Sequence, residues 1–196
     1  MPIQFTKAYN RVVTRVESLI GHYPEFVFVS TGRAGSNFIS RFLTEVGIPT
    51  SHEGFFHPEG IKKRLHYQGD ASWLAVPFIE DAILSTNIKI IHHVRHPLEV
   101  IRSLKGINFF NGIKDTKIIR FASRNFQITG DEIIDCVRWW NEWNLRCEKI
   151  SDLTFKIEDF EINFPEICSR INKTSKKKWK NTLEVLSSKK INSRNR

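Results

Sequence analysis

Long apolar runs are what this sequence lacks first. No stretch of about 18 residues is continuously apolar, so no membrane-spanning helix is expected. The opening residues, MPIQFTKAYNRVVTRVESLIGHYPE, contain no apolar core of the kind a secretion signal carries. Cysteine is scarce. Cys136, Cys147 and Cys168 make an odd count without any Cys-x-x-Cys spacing, which excludes a disulfide framework and points to a reduced, cytoplasmic protein. Metal-binding spacing is missing as well. There is no His-Glu-x-x-His, and the adjacent His92 and His93 would point to opposite faces of a strand, so no metal is expected. No internal repeat is visible.

What the chain has is enough apolar material for one core. Its 196 residues are 40% hydrophobic and 12% aromatic, which suits one domain or one domain with a tail. The net charge of +9 is unevenly placed. From Arg170 to Arg196 there are ten Lys/Arg and one acid, Glu184, which leaves twenty of each sign in residues 1–169. The body is therefore neutral and the basic excess belongs to the C-terminal end, read here as a solvated tail over residues 172–196. A basic overall balance of this origin does not point to nucleic acid as the partner.

Residues 1–171 read as one α/β domain. A first helix is expected over 6–20, where Val12, Val16 and Leu19 recur at helical spacing, and a core over 24–161. Strands are expected at Glu25–Ser30, Asn87–Val94 and Leu153–Phe160. Helices are expected over 35–46, 74–84, behind Pro97, over 117–127 and 131–149, and near 164–171. In the 131–149 helix the apolar face is read as Ile133, Val137, Trp140 and Cys147, with Trp139 furthest from it. Residues 48–72 read as irregular. Strands alternating with helices imply a three-layer α/β fold with a central parallel sheet, in which ligands sit beyond the carboxyl ends of the strands.

The loop after the first strand, STGRAGSN, has the parts of an anion cradle. Gly32 and Gly35 allow close backbone approach, and the helix that follows presents its positive end. Ser36 and Asn37 add donors, and Arg33 adds a guanidinium fork suited to phosphate or sulfate oxygens. The loop lacks the Lys-Ser/Thr that a Walker A motif needs after its last glycine, which removes the main signature of a kinase or ATPase. The loop after the second strong strand, VRHPLEVIRSL, sets Arg95 at the strand end and Ser103 on the helix behind Pro97. An arginine and a hydroxyl so placed could share one phosphate.

Together these two loops resemble the cofactor motifs of the sulfotransferase family that uses 3′-phosphoadenosine 5′-phosphosulfate (PAPS). STGRAGSN resembles the family's 5′-phosphosulfate loop, VRHPLEVIRSL its 3′-phosphate motif, and FKIEDF a segment near the end of its core. The resemblance covers roughly residues 24–161 and implies a P-loop-like fold. It implies that Arg33, Ala34, Gly35, Ser36 and Asn37 hold the phosphosulfate, and that Arg95 and Ser103 hold the 3′-phosphate. Ala34 stands where a serine is common. The Gly-rich C-terminal motif of cytosolic members is not recognisable; KKKWKNT, Lys176 to Thr182, keeps only the basic residues and a tryptophan.

Sulfuryl transfer also needs a base. TSHEGFFHPEG offers His52, Glu53, His57 and Glu59, and the resemblance favours Glu53, about twenty residues after the loop arginine, with His52 as the other candidate. Trp73, in DASWLAVP, would either line an acceptor pocket or anchor the base loop. The expected acceptor is a small molecule, carbohydrate or peptide carrying a hydroxyl or amine. Two other readings stand beside this one: a P-loop kinase-like nucleotide-binding protein, and an inactive module that binds a nucleotide or polyanion.

Overall fold

The structure is a computed structural model. It describes residues 23–62, 64–82, 87–111, 116–175 and 177–188. The helix expected over 6–20 and the last eight residues of the basic end lie outside the described residues.

The strongest apolar alternation in the chain makes the central strand. Phe26–Val29 forms β1, with all four side chains buried. Phe26 and Phe28 face one side, and Val27 and Val29 the other, as a strand's period of two requires. Thr50–His52 (β2), Gly69–Ala71 (β5), Lys89–Val94 (β6) and Leu153–Lys156 (β7) complete a five-stranded sheet in the order β2-β5-β1-β6-β7. Every pairing is parallel. Phe56–His57 (β3) and Gly60–Ile61 (β4) form a separate antiparallel hairpin. Helices cover both faces, giving the expected three-layer, P-loop-like α/β architecture.

One face carries Ser36–Glu45 (α1), Phe160–Arg170 (α6) and Trp179–Ser188 (α7). Their Phe42, Phe164, Ile167 and Leu186 close over Phe26 and Phe28. The other face carries Ala75–Ala82 (α2), Pro97–Gly106 (α3), Thr116–Asn125 (α4) and Glu132–Ile150 (α5), packed on Val27 and Val29.

Three expectations need correction. Residues 48–72 are not wholly irregular: they contain two strands of the main sheet. These strands are three residues long and rich in Ser, His, Gly and Asp, so they carry no alternation to read. In α5 the buried face is Cys136, Trp139, Trp143, Cys147 and Ile150, whereas Ile133 and Val137 are about half exposed. Trp139 is fully buried, stacked on Trp143 with ring centroids 4.1 Å apart. Asp135 also lies on the inward side, where its buried carboxylate accepts hydrogen bonds from the N–H groups of Thr129 (2.8 Å) and Gly130 (3.0 Å). Burying two indoles outweighs exposing Ile133 and Val137. Finally, the stretch read as solvated tail contains α7, which buries Leu186 and sets Trp179 5.1 Å from the Phe164 ring.

Candidate functional site

An all-parallel sheet gathers its strand ends at one edge, and five loops meet there. They follow β1, β2, β5, β6 and β7; Arg33, Ala34, Gly35, Glu53 and Arg95 lie in them, His52 ends β2, and Ser36, Asn37 and Ser103 lie on the adjoining helices.

The loop after β1 is bent by two left-handed residues, Arg33 (φ 72°) and Gly35 (φ 110°). Gly35 is the N-cap of α1. It supplies no side-chain cap, and the first turn of α1 contains no acidic residue. The positive end of that helix is thus left without a side-chain acceptor of its own. A Cβ at Gly35 would overlap Cδ1 of Ile157, which comes from the loop after β7. The φ of Gly35 is what favours glycine, and a side chain there would also have to displace the tip of Ile157. Ala34 is fully buried and packs into the core, so the absence of a hydroxyl there is filled by apolar contact.

The two cofactor-type motifs touch. Arg33 Nε donates to Ser103 Oγ at 2.9 Å, across 70 residues of sequence. Arg95 Nη1 donates to the Arg33 carbonyl at 3.3 Å, and its Nη2 faces Glu99 at 3.4 Å. Sequence reasoning pairs Ser103 with Arg95; the structure places its hydroxyl on Arg33 and so ties the loop after β1 to α3. Two further residues pin the loop after β6. Trp140 Nε1 donates to the Arg95 carbonyl at 3.0 Å, and Glu158 accepts from His96 N at 3.0 Å. Ile157 and Glu158 both belong to the FKIEDF segment, which therefore holds the two loops from the β7 side. Asn37 lies in the first turn of α1 and its carbonyl accepts from Ser40 Oγ at 3.1 Å.

The candidate bases sit at the end of β2. His52 Nε2 lies 2.9 Å from Ser36 Oγ and 3.7 Å from Glu53 Oε1. Burial, then the nearby Arg33 charge, pushes the His52 pKa below the ordinary imidazole value. Glu53 has φ 51° and is partly buried, with 27% of its side chain exposed. Its pKa is raised to about 7, first by burial and then by the negative charge of Asp70. A hydrogen bond from Trp73 and the charge of Arg33 oppose that rise. Trp73 is itself buried among Phe109, Phe121, Trp139 and Trp143, so it anchors the base loop.

His57 and Glu59 stand apart from this cluster. Glu59 pairs with Lys117 at 2.7 Å, and His57 Nδ1 lies 3.6 Å from Glu59. His92 faces Asn144 at 3.1 Å, while His93 lies fully buried between Phe28 and Phe155, its pKa lowered to about 3 chiefly by that burial. Among the described residues no group of three or more His, Cys, Asp or Glu could hold a metal ion. No helix among them is long and apolar enough to cross a membrane.

One residue of the site escapes sequence reasoning. Asp70 on β5 is completely buried beneath the Glu53 turn. Within YQGDASW it has no periodic or spacing signal, and only the pairing of β5 with β2 reveals it.

No family model matches the chain, and no curated protein matches it. Among solved structures it is similar to a sulfotransferase from Alicyclobacillus acidocaldarius, at 11% sequence identity and a TM-score of 0.49, over 78% of this chain and 82% of that one. What the site can do is set by its own residues.

Proposed function

We propose that the chain is a PAPS-dependent sulfotransferase with Glu53 as general base. The observation that carries this reading is the Arg33–Ser103 hydrogen bond. It joins the two loops whose sequences resemble phosphosulfate and 3′-phosphate motifs, beside a carboxylate whose pKa is raised to about 7.

The donor set suits a nucleotide with two separate anionic groups. Two guanidiniums, two hydroxyls and a helix start without a side-chain cap or first-turn acid converge at one sheet edge. Such groups favour anions with several oxygens. Arg33, Ala34, Gly35, Ser36 and Asn37 would hold the 5′ end, and Arg95 with Ser103 the 3′-phosphate. Bound PAPS would supply an activated sulfuryl group and a phosphate leaving group.

The chain's own residues do the rest. Glu53 accepts the proton of the acceptor hydroxyl or amine on its carboxylate, for which a value near neutrality is well matched. Arg33 and the first-turn N–H groups of α1 balance the negative charge left on phosphate oxygen. His52, held neutral at neutral pH and in reach of both Ser36 and Glu53, orients the pair. Such catalysis rests on positioning and electrostatics more than on covalent chemistry.

The test is transfer of labelled sulfuryl from PAPS to a panel of sugars, phenols, amines and tyrosine peptides, by the wild type and by Glu53→Gln. Transfer by the wild type that the variant loses supports the reading. Equal turnover by both would exclude Glu53 as the base, and phosphoryl transfer from ATP to the same panel would replace PAPS as the donor.

A further inference from the structure

The carboxylate of Asp70 is fully buried, yet it faces a turn at the mouth of the site. It lies on β5, opposite Ser51 of β2 and Val27 of β1. Its Oδ1 accepts from Ser51 Oγ at 2.6 Å and from Gly54 N at 3.1 Å. Its Oδ2 accepts from Phe55 N at 3.3 Å. Each of these three hydrogen bonds aims a donor at the carboxylate, the pattern that a buried ionised acid requires. Burial raises its pKa, and these hydrogen bonds oppose the rise.

The residue between β2 and these anchored amides is Glu53. Its own N–H donates to the Ala71 carbonyl at 3.2 Å, and its backbone is left-handed. A non-glycine residue holds that conformation only when its neighbours impose it. The neighbours here are Gly54 and Phe55, both bound to Asp70. Gly54 must be glycine because a Cβ would sit 2.6 Å from Cβ of Ser51, the residue that also donates to Asp70. Arg64 Nε closes the outer side by donating to the Gly54 carbonyl at 2.9 Å.

We propose that Asp70 is the positioning residue of this site: its buried carboxylate folds the Glu53–Phe55 turn and presents the Glu53 side chain at the sheet edge. This rests on the reading of Glu53 as the base. Asp70 acts on Glu53 twice, through the backbone and through its charge. The groups that face Glu53 are Asp70 from β5, Arg33 from the loop after β1, His52 from β2 and the Trp73 indole from the loop after β5. Of these only Asp70 is negative. Removing its charge lets Glu53 ionise more readily and makes it a weaker base.

Three measurements on the full chain test the proposal. In the wild type, hydrogen exchange of the Gly54 and Phe55 amides should be slowed about 10- to 100-fold relative to an unbonded turn. Exchange at unprotected rates would overturn the anchoring. In Asp70→Asn, carbon NMR of the Glu53 carboxyl should show its titration midpoint moved down by at least about half a unit. The kcat/KM profile should move in the same direction, with KM for the nucleotide unchanged. A midpoint that stays in place would overturn the electrostatic role. Should Asp70→Asn not fold, Ser51→Ala keeps the charge and removes one anchor; faster Gly54 exchange with a folded spectrum supports the proposal, and unchanged exchange overturns it. The amide and carboxyl readings need no turnover. A chain that transfers nothing from PAPS but shows both would defeat the proposed reaction and leave the role of Asp70 standing.

Discussion

The two halves of the site are built in different ways. The loop after β1, which we propose as an anion cradle, is local: Arg33, Gly35, Ser36 and the start of α1 lie within a few residues of one another. The turn after β2 that carries Glu53 is not. Glu53 is held by Asp70, Ala71 and Trp73, which stand seventeen to twenty residues further along the chain and reach it only because β5 pairs with β2. The cradle gathers positive charge, whereas the turn sets two carboxyl groups close enough for one to raise the other. A local device leaves a motif in the sequence. A device made by strand pairing leaves only scattered residues.

The largest effect should come from the turn. Glu53→Gln should lower kcat by about 10²- to 10⁴-fold while leaving affinity for 3′-phosphoadenosine 5′-phosphate (PAP) within a factor of about two. Steady-state kinetics and calorimetry separate the two quantities; a matching loss of affinity would erase the distinction between base and cradle.

Next in size is the cradle. Arg95→Ala should weaken PAP by about 10- to 100-fold, the worth of a charge-assisted hydrogen bond to phosphate. It should weaken adenosine 5′-phosphosulfate, which lacks the 3′-phosphate, far less. Equal losses for both nucleotides would remove Arg95 from the 3′-phosphate.

Gly35→Ala tests the backbone of the cradle. A side chain at φ 110° is strained and meets Ile157, so denaturant unfolding should show a loss of about 1–3 kcal/mol. An unchanged midpoint would mean that the loop can adopt another conformation.

The smallest effect concerns stability against pH. Glu53 has a folded-state pKa of about 7 against an ordinary carboxyl value of 4.5, so the folded state holds its proton more tightly than the unfolded chain does. Its contribution is fully present below 4.5 and is lost as pH rises through about 7. Glu53→Gln, which cannot ionise, should therefore be more stable than the wild type by about 1–2 kcal/mol at pH 8. The two should agree near pH 4. A variant that was less stable at pH 8 would contradict the raised value.

The same contrast explains what could be read in advance. β1 and β6 declare themselves because FVFV and KIIHHV are continuous buried strands, and α3 because Pro97 marks its start. The residues of the loop after β1 could be nominated from the sequence, because the glycines, arginine and hydroxyl lie together in one stretch. Glu53 could be nominated from the sequence, but its surroundings could not, because TSH and GDA look like loop and become strands only between neighbours. The Ser103 contact with Arg33 was equally hidden, since spacing along a helix cannot say which of two arginines a hydroxyl will meet. The buried face of α5 was misread because Ile133 and Val137 repeat as well as Cys136, Trp139 and Trp143 do. The area of the two indoles decides between the two faces.

The most direct test of the central claim is a calorimetric titration of the wild-type chain with PAP, run beside ATP with Mg²⁺. The account predicts micromolar binding of PAP, at least about tenfold tighter than ATP, because Arg95 and Ser103 would engage a 3′-phosphate that ATP lacks. Binding of ATP–Mg²⁺ with no preference for PAP would contradict it.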